Sequence, residues 1–267
     1  MSEQRRPVTV ITGASAGIGA ALARVFARHG HELALVARRE DRLNALADEI
    51  AATGARRPIV IVDDLARAGS AQRIGTALKA AGAEPQYMVN NAGFGLIGQA
   101  ATRDRAEQLE MIDVNVRALA ELSLGFVDAL ARHRGGLLNV GSMAGFLPGP
   151  GMAVYYATKA YVLSFSEALH SEFKARGVRV SVLCPGPVPT EFGARAGITR
   201  AIGNNLLTQS AEMVAEAGYR GLMRGQRTVV PGLANRLVTV AIRGVPRGAL
   251  LRLIGALQRG RRSAPET

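Results

Sequence analysis

The stretch Thr9-Val10-Ile11-Thr12-Gly13-Ala14-Ser15-Ala16-Gly17-Ile18-Gly19 decides how the rest of this chain is read. Its β-branched run predicts a strand and its glycines a tight turn, after which Ala20 to Gly30 reads as an amphipathic helix. A strand, a glycine turn and a helix in that order bring backbone amides and the positive end of a helix dipole to one place, where a diphosphate can sit. An ordinary βα turn is the plain alternative. The strand before and the helix after are nevertheless the context that the dinucleotide fingerprint requires. Gly13, Ser15, Gly17, Ile18 and Gly19 are therefore the first candidate ligand contacts.

Outward from this turn the pattern repeats. A second strand, Glu32 to Ala37, ends on Arg38-Arg39, about twenty residues past the glycines, where an NAD site usually places an acid for the ribose hydroxyls. A guanidinium there pairs with a 2′-phosphate instead, which favours NADP(H) over NAD(H) and singles out Arg38. Glu40 to Thr53 reads as a helix, and Pro58 to Val62 as a third strand running into Asp63-Asp64-Leu65. Gln86 to Val89 is a fourth strand, ending in Asn90-Asn91-Ala92-Gly93. Thr102 to Phe126 reads as largely helical, with Asn115 disfavoured in its middle because the side-chain amide competes with the backbone. A fifth strand runs from Gly135 to Val140 and finishes at Gly141-Ser142, and a sixth, Val178 to Leu183, leads into Cys184-Pro185-Gly186-Pro187-Val188-Pro189-Thr190. Thr228 to Val230 reads as a short last strand.

Tyr155 and Lys159, four residues apart on a predicted helix, share a face, while Tyr156 turns aside. With the glycine turn, Asn-Asn-Ala-Gly, and a strand-end serine thirteen residues before Tyr155, the chain resembles the short-chain dehydrogenases/reductases from about Val8 to Val230. The resemblance implies an α/β fold: a single Rossmann-like, doubly wound parallel sheet of about seven strands flanked by helices, with a C-terminal helical extension. It implies Ser142, Tyr155 and Lys159 as a catalytic triad, with Asn115 as fourth member in a helix irregularity whose freed carbonyl holds a water. It further implies cofactor contacts at Asp64 and Leu65, at Asn91, Ala92 and Gly93, and at Pro185, Gly186, Val188 and Thr190. The implied activity is hydride transfer between nicotinamide and a carbonyl or secondary alcohol, and the implied assembly a homodimer or homotetramer. Protonating an alkoxide at neutral pH suits a phenol poorly, since its ordinary pKa is near 10, so Lys159, helped by the positive nicotinamide of the oxidised complex, is expected to lower it. Ser142 is expected to donate a hydrogen bond to the carbonyl oxygen. A non-enzymatic NADPH-binding sensor or scaffold on the same fold is the rival reading.

Composition narrows the rest. The 267 residues are 48% hydrophobic, which suits a packed globule. One domain is expected, with residues 1–232 carrying the site and residues 233–267 a basic helical extension of it. Met1 to Pro7 is short and polar, and no run of about eighteen uncharged apolar residues occurs, so a cytoplasmic location is expected. Cys184, the single cysteine, excludes an internal disulfide and reads as a small buried residue. His29, His31, His133 and His170 have no ligand spacing, and the chemistry requires no metal. The net charge is +12, yet aromatics are only 4% and no nucleic-acid motif is present, so the scattered arginines read as solubilising and no nucleic-acid partner is expected.

Beyond Pro231-Gly232, Leu233, Leu237, Val240 and Ala241 have helical spacing with Arg236 and Arg243 interspersed, Pro246 interrupts, and Leu250 to Arg259 reads as a second basic amphipathic helix. Three readings stand side by side. The pair packs on the domain or on a twin subunit, or it anchors to anionic lipid at the inner face of a membrane, or it covers a long-chain substrate. Glu191 to about Leu222 is expected to close over the pocket, with Phe94, Leu96, Phe146, Leu147, Met152 and Val154 around it. These side chains lean towards an apolar carbonyl or alcohol.

Overall fold

The computed structural model describes residues 5–197 and 206–262, with the backbone alone at 194, 195, 243 and 257–262. The expectations that fall on 1–4, on 263–267 and on the covering stretch at 198–205 lie outside the described residues. Seven strands form one sheet: β1 (Arg6–Thr12), β2 (Leu33–Ala37), β3 (Ile59–Val62), β4 (Ala83–Asn90), β5 (Gly136–Val140), β6 (Arg179–Leu183) and β7 (Thr228–Val229). Their order is β3-β2-β1-β4-β5-β6-β7, with every neighbouring pair parallel. Parallel strands need crossovers, and helices supply them. They are α1 (Gly17–Arg28), α2 (Glu40–Ala52), α3 (Ser70–Ala80), α4 (Arg105–Ile112), α5 (Leu119–Gly125), α6 (Val127–Arg132), α7 (Ala153–Glu172), α8 (Glu191–Ala196), α9 (Ala211–Met223), α10 (Leu233–Arg243) and α11 (Arg247–Arg262).

Sequence pattern explains the layering. A strand covered on both faces must be apolar throughout rather than alternating, and Leu33 to Ala37 is buried at every position. Helices α1, α2 and α9 close one face over Ile11, Leu22, Phe26, Leu35 and Leu222. Helices α3, α5, α6 and α7 close the other over Val10, Ile74, Met88, Leu122, Leu130 and Leu137. Each such side chain, fully withdrawn from water, contributes about 1.5–3 kcal/mol before chain entropy is set against it.

The strand order reverses between β1 and β4, and register brings the strand ends to a common edge. Thr12 lies opposite Val36, Asn90 opposite Asn139, and Val140 opposite Leu183. Open α/β sheets bind ligands in the crevice at that edge. Beneath it a buried polar ladder ties the strands to the helices: Asn90 Nδ2 donates to Asn139 Oδ1 (2.9 Å) and Ser123 Oγ (3.0 Å), and Asn139 Nδ2 donates to Ser166 Oγ (2.9 Å).

Three expectations are corrected. The first helix begins at Gly17 rather than Ala20, because Gly17 takes φ +55° at its head and the glycine turn itself forms the first helical turn. The long helix begins only at Arg105, where Asp104 Oδ1 accepts from Glu107 N (2.9 Å). Of the expected covering region, α9 belongs to the scaffold, since Val214, Ala215 and Leu222 are buried in the core shared with α1.

Candidate active site

At the C-terminal edge a cleft of about 1120 Å³ runs from Arg38 and Asp64 at one end to Tyr155 and Phe192 at the other, with the glycine turn between them. The turn is held from below. Asn91 Nδ2 donates to Thr12 O (2.9 Å) and Gly13 O (3.2 Å), and the amides of Asn91 and Ala92 donate to Thr12 Oγ1 (3.0 and 3.1 Å). Gly19 lines no part of the cleft; a Cβ there would stand 2.2 Å from Gly13 O and 2.4 Å from Asn91 Nδ2. Its place is set by packing beneath the turn. Gly13, Ser15, Gly17, Ile18, Asn91, Ala92 and Gly93 all face the cleft.

Cations gather at the first end. Arg38 is exposed and lies 3.6 Å from Glu110. Arg39 reaches the glycine turn, donating from Nε (3.2 Å) and Nη2 (3.0 Å) to Ser15 Oγ. Arg39 also pairs with Glu191 at the start of α8 (2.8 Å), as does Arg42, so these ion pairs bridge the two walls. The sequence reading favoured Arg38; geometry adds Arg39, whose position one residue later was the available signal. Asp64 is not a helix cap, since α3 starts at Ser70. Its Oδ1 accepts from Ala66 N (3.1 Å) in a turn, while neighbouring Asp63 is paired with Arg73 (2.6 Å). Asp64 and Leu65 both line the cleft.

At the other end Ser142, Tyr155 and Lys159 converge. Ser142 lies two residues past the end of β5, and its Oγ accepts from Ala144 N (3.1 Å). Tyr155 and Lys159 share one face of α7 and are both buried. Lys159 Nζ lies 5.9 Å from the Tyr155 ring centre and donates to Val140 O (2.8 Å). Burial pushes the phenol up to about 12, with the Ser142 hydrogen bond acting against it, and burial pulls the Lys159 amine down to about 8. In the protein alone desolvation is the largest influence on the phenol and the Ser142 hydrogen bond the one opposing it; the lowering expected from Lys159 belongs to the complex with oxidised nicotinamide. Cys184 is fully buried nearby, and burial holds its thiol up at about 12, which leaves it protonated.

Asn115 lies outside the cleft lining but beneath it. The helix around it widens into a π segment over Asp113–Ala118, which is the irregularity that an asparagine in mid-helix signalled. Its Nδ2 donates to Phe94 O (2.9 Å) and Thr158 Oγ1 (3.1 Å), and its Oδ1 accepts from Phe94 N (3.1 Å), clamping the end of β4 to α7.

Pro185, Gly186, Val188 and Thr190 follow β6 along the cleft wall. Of the expected pocket residues, Phe94, Leu147 and Met152 line it; Leu96 and Val154 pack behind Phe94 and Met152, and Phe146 packs against another cluster. Tyr156, Phe192 and Leu207 complete the apolar end, Phe192 with its ring 5.4 Å from that of Tyr155. Helix periodicity pointed Tyr156 away, and the segment after Thr190 carries no motif, which is why the sequence did not single these out. No described residue of α10 or α11 lines the cleft, so the substrate-cover reading of the C-terminal pair is not supported. Among the described residues no cluster of His, Cys, Asp and Glu could hold a metal ion, and no helix is long and apolar enough to cross a membrane.

The cleft fits a dinucleotide. It is long, it has amides and glycines at its middle, cations at one end and the Ser142, Tyr155 and Lys159 side chains at the other. Comparison with known proteins agrees. Residues 7–201 match the short chain dehydrogenase family. Sulfoacetaldehyde reductase 2 of Chromohalobacter salexigens is 35% identical over 213 residues, 78% of this chain and 84% of that protein. A short-chain dehydrogenase from Sphingobium yanoikuyae, solved in complex with NADPH, superposes with a TM-score of 0.77 at 31% identity over 98% of both chains. A bulky-bulky ketone specific alcohol dehydrogenase from Comamonas testosteroni superposes at 0.74 with 27% identity, again over 98% of both.

Proposed function

Since the chain belongs to the short chain dehydrogenase family of NAD(P)-dependent oxidoreductases, we propose that it transfers a hydride between NADP(H) and the carbonyl or secondary alcohol of an apolar substrate. One observation carries this reading: Ser142, Tyr155 and Lys159, spaced over eighteen residues of sequence, line one end of a dinucleotide-shaped cleft, with Tyr155 and Lys159 buried there. Bound NADP(H) supplies or accepts the hydride. The chain does the rest. The amides around Ser15 to Ile18 receive the diphosphate, Arg38 and Arg39 with Ser15 take the 2′-phosphate, and Asp64 and Leu65 border the adenine. Asn91, Ala92, Gly93, Pro185, Gly186, Val188 and Thr190 wall the nicotinamide half, and Lys159 holds its ribose.

In reduction, Tyr155 gives its phenolic proton to the carbonyl oxygen, and Ser142 donates a hydrogen bond to that same oxygen as charge develops. Lys159 supplies positive charge beside the phenol, and the π segment at Asn115 offers a backbone carbonyl for the proton path from solvent. Phe94, Leu147, Met152, Tyr156, Phe192 and Leu207 receive the substrate's apolar body. Among the described lining residues at this end, Lys159 is the single cation, and the rest of that lining is largely apolar. A bulky ketone suits such a lining. Exposed Leu109, Leu124 and Tyr161 on α4, α5 and α7 support pairing of subunits through those helices.

The test is oxidation of NADPH and of NADH with a carbonyl panel from small aldehydes to aromatic diketones and steroids. Tyr155→Phe is expected to lower kcat by about 10²–10⁴-fold while NADPH still binds. Equal turnover by wild type and Tyr155→Phe would remove the phenol from the mechanism. NADPH binding with no turnover of any panel member would favour a sensor.

A further inference from the structure

Helix α10 leaves a row of aliphatic side chains in solvent. Its inward side carries two buried polar residues, Asn235 and Thr239, beside half-buried Ala234, Val238 and Ile242, and Asn235 Nδ2 donates to Pro231 O (3.0 Å) and Leu207 O (3.3 Å). Its outward face is aliphatic. Leu233, Leu237 and Val240, spaced i, i+4 and i+7, are 78%, 71% and 67% exposed, and exposed Ala241 extends the row. A helix on a globular protein ordinarily buries such a stripe and shows water its polar face. In α11, Leu251 and Leu253 are exposed on either side of exposed Arg252.

Charge identifies what covers this surface. From Leu233 to Arg262 the sequence holds seven arginines (Arg236, Arg243, Arg247, Arg252, Arg259, Arg261 and Arg262) and no acidic residue. Among the described residues, no ion pair engages Arg236, Arg247 or Arg252; Arg236 Nε donates to the Val230 carbonyl (3.0 Å). A second copy of the chain would set this cationic surface against itself. An anionic bilayer instead satisfies both features, the leucines entering the acyl boundary while the guanidiniums meet phosphates. We propose that the outer face of α10 and α11 docks on an anionic phospholipid surface. The inward side of α10, opposite that face, packs on the 143–146 turn after Ser142, and Asn235 binds the carbonyl of cleft-lining Leu207. A docked chain therefore has α10 lying between the lipid and the cleft-wall segments that it packs on.

Co-sedimentation of the full chain with vesicles tests this without any turnover readout, so its failure and failure of the oxidoreductase reading are separate. Phosphatidylcholine vesicles are compared with vesicles containing about one-third phosphatidylglycerol. Binding to the anionic vesicles is expected to be at least about tenfold tighter and to weaken with added salt. Leu237→Glu and, separately, Arg247→Glu with Arg252→Glu are expected each to reduce it several-fold while NADPH affinity stays unchanged. No binding to either vesicle, or equal binding to both, overturns the proposal. So does a wild-type oligomer that Leu237→Glu dissociates in light scattering, which would assign the stripe to a second copy of the chain.

Discussion

Tyr155 and Lys159 sit in the same dry corner, and burial moves them in opposite directions. With its phenol pushed up to about 12, Tyr155 remains protonated throughout the neutral range in the free protein, ready to act as the acid for reduction. With its amine pulled down to about 8, Lys159 loses its charge as pH rises through that value. The sign follows directly: the protonated lysine is the working form, so it is fully present below about 8 and lost above. The kcat/KM for carbonyl reduction is therefore expected to fall above about pH 8, and Lys159→Arg, which stays charged, to move that limb upward whatever its absolute rate. A wild-type profile level to pH 10 would show that the lysine does not titrate where its burial places it. The same pair shows what sequence alone withheld. Spacing put Tyr155 and Lys159 on one face, but the direction in which each pKa moves depended on how much water reaches it, which only packing decides.

Among the elements, the glycine turn and its helix were legible because their signals are local: β-branched residues, then glycines, then helical periodicity. The start of α1 was not, because a glycine normally reads as a helix breaker, whereas Gly17 and Gly19 stand in the first turn. Gly19 is required by the close approach of Gly13 O and the Asn91 amide. Gly19→Ala is expected to destabilise the fold by about 1–3 kcal/mol, measured by urea denaturation, and to weaken NADPH binding through the displaced turn. An alanine variant with unchanged urea midpoint and affinity would contradict that packing. Asn115 was legible as an anomaly, and the π segment is its resolution. By contrast α9 was misread as cover, because the apolar spacing of a scaffold helix and of a lid is the same, while Phe192 and Leu207 fell within the stretch expected over the pocket but could not be picked out in it, because contact with the cleft leaves no period in sequence.

At the scale of the whole molecule the cleft has walls from both halves of the sheet: Ser15, Arg39 and Asp64 on one side of the switch point, Ser142, Lys159 and Thr190 on the other. A ligand that touches both halves stabilises the folded chain as a unit. NADPH at about 100 times its Kd contributes roughly 2.7 kcal/mol, or a rise in Tm of about 5 °C for a chain of this size, and NADH at equal concentration is expected to give less. Equal shifts from the two, measured by scanning calorimetry, would discard the preference assigned to Arg38 and Arg39. The pairing of α1 with α9 adds a matter of timing. The first helix of the chain buries Leu22 and Phe26 in a core completed by Val214, Ala215 and Leu222, nearly two hundred residues later. On the ribosome, the glycine turn emerges among the earliest segments yet settles among the last, and until residue 223 has been made the nascent protein carries an unfinished apolar seam for chaperones to shield.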